Sequence, residues 1–215
     1  MAVLMSIGTL APGSGSQGGE RPLRVVTVAG RAELQKTTVA SWSAATLSAE
    51  LEPGDAARTL AGRLTLRTAS GQAVRLASSS RVALLDAALP DQPTRVRLDA
   101  GSVWAAVMKE SPPGQQLEFQ TSAVTVTVRG SGVGITLNRD GSVLVRVYHG
   151  GAECAGPGTE RRWIRTLADE QELSVSGERA PEVRKLQRDK LDVAWVKWNE
   201  EQDLAGGYGG KPPAR

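Results

Sequence analysis

A single cysteine, Cys154, and a single histidine, His149, are all that 215 residues supply of those two side chains. One cysteine excludes an internal disulfide framework and any cysteine-rich metal site. His149 and Cys154 are spaced as a base and a nucleophile might be, but catalysis also needs an orienting third group and an oxyanion site. The sequence offers no such constellation, and His149, just before Gly150-Gly151, reads as a turn residue. No catalytic residue, metal site or cofactor is expected.

Phenylalanine and tyrosine are nearly as scarce, one and two residues against five Trp, so the core must be aliphatic. That scarcity, with a net charge of only +3, argues against a nucleic-acid binder, which needs a basic face and stacking platforms. Long apolar runs are absent too. A membrane-spanning helix needs roughly 18 or more apolar residues in a row, and no such run exists.

What the chain has is apolar alternation with a period of two. Leu64/Leu66, Val74/Leu76, Val82/Leu84, Val96/Leu98, Leu117/Phe119, Val124/Val126/Val128, Val133/Ile135/Leu137, Val143/Val145/Val147 and Leu173/Val175 alternate with Arg, Thr or Gln. A strand sends successive side chains to opposite faces, so the pattern describes strands with one buried and one wet side. Turn signals punctuate the runs at Ser70-Gly71, Pro90-Asp91, Ala100-Gly101, Pro112-Pro113-Gly114, Asp140-Gly141 and Gly150-Gly151. Asp140-Gly141 is the best hairpin signal, of type I′. The expected class is all-β, about 12 short strands in a β-solenoid-like or twisted two-sheet arrangement, with a C-terminal amphipathic helix.

Four segments follow: a Gly/Ser-rich leader at 1–21, a β-domain at 22–178, the amphipathic helix segment at 179–205 with the helix over roughly 182–204, and a Gly/Pro-rich tail at 206–215. Met1–Leu10 is mildly apolar but lacks a basic n-region, which makes a poor export signal. Within the helix, Leu191, Ala194, Trp195 and Trp198 share one side at spacings of three, four and seven, while Val193 and Val196 fall off that stripe. Trp195, Trp198 and Leu191 are the expected anchor, either on this domain's own sheet or on a partner. Arg63, Arg67, Arg75, Arg95 and Arg97 form a candidate basic stripe for an anionic polymer. Arg129 to Gly134 is glycine-rich but lacks the ending of a phosphate loop, and reads as a bulge or sharp turn between strands.

Several motifs recur in a fixed order: Gly30-Arg31-Ala32-Glu33-Leu34, Leu51-Glu52-Pro53-Gly54-Asp55, Leu64 to Gly71, Leu98-Asp99-Ala100-Gly101-Ser102-Val103, and Val126-Thr127-Val128-Arg129-Gly130-Ser131 running to Val147. Over about residues 24–177 this order resembles the FecR domain. The closing Trp195-Val196-Lys197-Trp198-Asn199 is similar to a segment that often follows that domain. Ser131-Gly132-Val133-Gly134 departs from the family pattern, being smaller and richer in glycine. The resemblance implies a β-domain in a bacterial envelope setting. The signalling members' transmembrane helix and cytoplasmic anti-sigma region are not found in this sequence. The expected function is a non-enzymatic structural or interaction module that binds other envelope proteins, or its own copies, through sheet edges and terminal segments. Binding of an anionic envelope polymer and a remnant sensor are the alternatives. The expected address is periplasmic or envelope-associated, with the cytoplasm still open.

Overall fold

The computed structural model describes residues 22–87, 92–108, 116–130, 132–156, 163–177, 180–188 and 192–209. Their strands are β1 (Leu23–Gln35), β2 (Ser43–Ala44), β3 (Glu50–Leu51), β4 (Ala56–Arg67), β5 (Ala73–Leu76), β6 (Arg81–Asp86), β7 (Thr94–Ala106), β8 (Leu117–Gln120), β9 (Thr125–Arg129), β10 (Val133–Leu137), β11 (Val143–Val147), β12 (Gly151–Ala155), β13 (Ile164–Leu167), β14 (Gln171–Val175) and β15 (Val183–Lys185). One helix, α1 (Val193–Ala205), closes the described chain. The all-β class with a terminal helix is as read from the sequence. All the strands join one sheet system, whose central path runs β13-β12-β9-β8-β7-β10-β11-β14-β15. Every strand pair is antiparallel except β7 with β8, so the strands do not stack as the parallel coils of a β-solenoid.

Three strands are twice the usual length because the chain bends within them instead of turning back. In β1 and β4 the bend falls where Gly30 faces Gly62, both with positive φ. A Cβ on Gly62 would stand 1.9 Å from the Ala29 carbonyl oxygen, so no other residue fits. In β7 the Ala100-Gly101 turn signal proves to be a bulge inside one strand. Val82 pairs with Leu98 and Arg81 with Ala100, leaving Asp99 extra. The extra residue switches the alternation, so Val96 and Leu98 before it, and Val103 and Ala105 after it, all face the same core. Asp140-Gly141 does form a hairpin between β10 and β11, but only Gly141 has positive φ. The Gly141 N–H donates to the Asn138 carbonyl, which makes a type I turn followed by a left-handed residue, not a type I′ turn. Pro90-Asp91 and Pro112-Pro113-Gly114 lie outside the described residues.

The main core is aliphatic, as the composition requires: Leu64, Leu66, Leu76, Val96, Leu98, Ile135, Val145 and their neighbours surround the one phenylalanine, Phe119. Leu51-Glu52-Pro53-Gly54-Asp55 builds the turn into β4. The Asp55 carboxylate accepts from the Glu52 and Thr37 N–H groups, each at 2.9 Å, and from Lys36 Nζ at 2.6 Å. Burial alone would raise its pKa, but these donors outweigh burial and hold it below the ordinary carboxylate range. A depressed folded pKa gives stability that is complete above the unfolded value of about 4 and is lost as pH falls through the folded one. Asp55→Asn is therefore expected to lower the melting temperature at pH 7. It should also flatten the decline of stability below about pH 4, measured by thermal unfolding across pH.

Candidate functional site

The strand period carries a second row of side chains away from the main core. On β5 and β7 this row places Arg75 directly across from Trp104, with Ala73 and Ala106 beside them. Trp104 stacks on Tyr148 with ring centroids 4.5 Å apart. Gly134, the register partner of Trp104 on β10, leaves space for the stack, since a Cβ there would meet the Tyr148 ring at 3.3 Å. A Cβ on Gly132 would strike the His149 ring at 2.4 Å. The glycine-rich departure from the family pattern thus makes room for Tyr148 and His149.

Helix α1 lies over this row. Asp192 caps it, its Oδ1 accepting from the Trp195 N–H at 3.1 Å. The side chains that α1 buries are Val196, Asn199 and Asp203, a stripe of one apolar and two polar residues at spacings of three, four and seven. Arg75 donates to Asp203 Oδ1 at 2.5 Å and to Asn199 Oδ1 at 3.4 Å. Trp104 Nε1 donates to Asp203 Oδ2 at 2.9 Å, and His149 Nε2 lies 3.2 Å from the same oxygen. Beyond the helix, Tyr208 tucks back, its hydroxyl donating to the Gly71 carbonyl. The Arg75 and Asp203 side chains are 3% and 0% exposed. A pair buried that deep is tolerated because each side chain is hydrogen-bonded to the other. The carboxylate accepts from two strands, from Arg75 on β5 and Trp104 on β7, an arrangement that fixes the helix in one register.

Around this seam, burial pushes the Tyr148 hydroxyl up to about 12. It also raises Glu200 on the helix, against the nearby Arg188 and His149. Cys154 lies in the main core on β12, where burial pushes its thiol up to about 12, while His149 belongs to the seam beneath α1. The two are not a catalytic pair.

The sequence-predicted anchor is placed differently. Residues 183–185 form strand β15 on β14, where the amphipathic pattern predicts helix from about 182. Trp195 and Trp198 are only half-buried, stacked on each other at 5.5 Å with the Arg63 guanidinium 4.7 Å over Trp198. Leu191 lies outside the described residues. Val196, off the predicted stripe, is the apolar residue that is buried. The predicted arginine stripe does not form one exposed row. Arg75 is in the seam, Arg97 bonds Asp99 at 2.6 Å, Arg95 lies 3.3 Å from Asp86, Arg63 sits by the tryptophans, and Arg67 is exposed at the end of β4.

Comparison with known proteins agrees with this architecture. Residues 55–153 match the FecR protein family, which covers β4 to β12 and includes Arg75, Trp104, Tyr148 and His149 but not α1. The fold is similar to two crystal structures, at 2.50 and 1.65 Å resolution, of a "putative anti-sigma factor" from Parabacteroides distasonis ATCC 8503. Both show 15% identity and a TM-score of 0.52 over 65% of this chain. This chain spans 62% and 63% of those solved chains. The comparison with curated proteins returns no match. Among the described residues no helix is long and apolar enough to cross a membrane, which says nothing of spans made from strands.

Proposed function

We propose that this chain, with a FecR-type β-domain at residues 55–153, is a regulatory interaction module and not an enzyme. One observation carries the reading: α1 is inverted relative to an ordinary surface helix. It buries Asn199 and Asp203 and leaves Trp195 and Trp198 half-buried at the surface beside Arg63. Tryptophan and arginine are the side chains that most often anchor protein partners. A helix locked by a polar seam holds such a patch in fixed orientation, with Trp195 packed in part against the domain and Trp198 beside Arg63. The partner class is an envelope protein or a second copy of this chain, and the address is the outer side of a bacterial membrane, where FecR-type sensors work. The arginines that would attract a polymer are dispersed and several are paired with carboxylates, which weighs against the polyanion reading.

The test is site-specific photo-crosslinking of the full chain in bacterial cells. A photoreactive residue at position 198 is expected to give one discrete adduct, identified by mass spectrometry, while the same residue at exposed position 140 gives none. Equal labelling at both positions, or no adduct at 198 in the folded protein, would refute the interaction patch.

A further inference from the structure

Where the N-terminal end of α1 meets the outer sheet face, a cavity of about 350 Å³ opens between β4, β7, β10, β11 and the helix. The size is within the range of small-molecule sites. Its lining combines polar side chains with apolar and aromatic ones. Ser102 and Thr136, register partners on β7 and β10, present hydroxyls 2.9 Å apart. Arg146 enters from β11, already bonded to Glu172 at 3.1 Å. Arg63 enters from β4 and has no carboxylate partner among the described residues. Tyr148 and Trp195 supply aromatic walls, and the Asp192 carboxylate stands at the helix end.

From this lining we infer that the cavity is a binding site for a small carboxylated sugar. The pairing of the two guanidiniums points to one negative group. Arg146 is neutralised by Glu172, so Arg63 alone is left to pair with an anion, and its planar fork matches a single carboxylate. Asp192 at the rim opposes a second negative charge, which counts against phosphate dianions. Paired hydroxyls on one wall match the donors and acceptors of ligand hydroxyls, and an indole on another suits the apolar face of a sugar ring. The site shares Arg63 and Trp195 with the partner patch but differs from it in readout, because it is filled on the isolated chain with no protein partner present.

D-Glucuronate is the probe. Titrated into the ¹⁵N-labelled full chain, it is expected to shift amide signals of residues 62–63, 102–103, 134–136 and 194–196 saturably and to change tryptophan emission. D-Glucose, lacking the carboxylate, and inorganic phosphate, lacking the ring, should each bind at least about tenfold more weakly. Arg63→Gln should weaken glucuronate by about tenfold or more at an unchanged melting temperature, as loss of a charge-assisted contact does. Thr136→Val should weaken both sugars together. The inference is overturned if glucuronate gives no saturable shift at the cavity, if phosphate binds as well as glucuronate, or if Arg63→Gln binds it unchanged.

Discussion

Asp203→Ala is expected to destabilise the docked state of α1 by about 3–5 kcal/mol, the cost of stranding a buried charge without its partner. Arg75 would remain on β5 under the helix, 3% exposed, with only Asn199 to accept from it. Trp104 Nε1 would lose its acceptor as well. Much of α1 should detach, read as loss of helical circular dichroism at temperatures where the β-signal persists, with a red shift in tryptophan emission. The companion variant separates charge from fit. Arg75→Met combined with Asp203→Leu removes both ions and keeps the volume, and should recover part of the loss, the remainder being the Trp104 Nε1 donor left without its acceptor. If the double variant is as unstable as Asp203→Ala, the helix is held by something other than satisfied charge.

The second large effect sits at the bend shared by β1 and β4. Gly62→Val forces a β-branched side chain into φ +105° with its Cβ placed 1.9 Å from the Ala29 carbonyl oxygen. The backbone strain alone costs on the order of 1–3 kcal/mol, and the clash adds to it, since the facing group is backbone and cannot rotate away. The β1–β4 crossing should open, giving insoluble protein or a chain with no cooperative transition. Gly71→Ala is the control. Its φ is also positive, but nothing lies within 4 Å of the added Cβ, so it should cost about 1 kcal/mol and leave the fold intact.

The sheet was legible because its signal is local. Alternation along β8 to β11 sends Val126, Val128, Ile135 and Val145 inward with nothing but the strand period to read. Bends inside long strands were not legible: Ala100-Gly101 has the composition of a turn, and only pairing with β6 makes it a bulge in β7. The helix misled for a related reason. Hydropathy sends Asn199 and Asp203 outward and Trp195 and Trp198 inward, and this holds unless the opposing surface carries complementary polar groups. Here Arg75 and Trp104 do, from 124 residues and 99 residues away along the chain. Such long-range pairing leaves no trace in the periodicity of either segment. The family match spans the sheet side of this seam, with Arg75, Trp104, Tyr148 and His149, but not Asp203 on α1.

The glycine-rich departure at Ser131 to Gly134 is now part of the same account. Gly132 and Gly134 are small so that His149 and Tyr148 can lie flat against the sheet, and those two rings complete the seat for α1. The segment is coupled to the helix through packing, not through ligand phosphates.

Thermal unfolding of Trp198→Ala beside Asp203→Ala shows whether α1 is seated by its polar stripe with Trp198 left for contact. A small loss is expected for Trp198→Ala, about 1 kcal/mol or less, against the several kcal/mol expected for Asp203→Ala. The reverse order, with Trp198→Ala the more damaging and Asp203→Ala nearly silent, would show that the tryptophans are this domain's own core and contradict that seating.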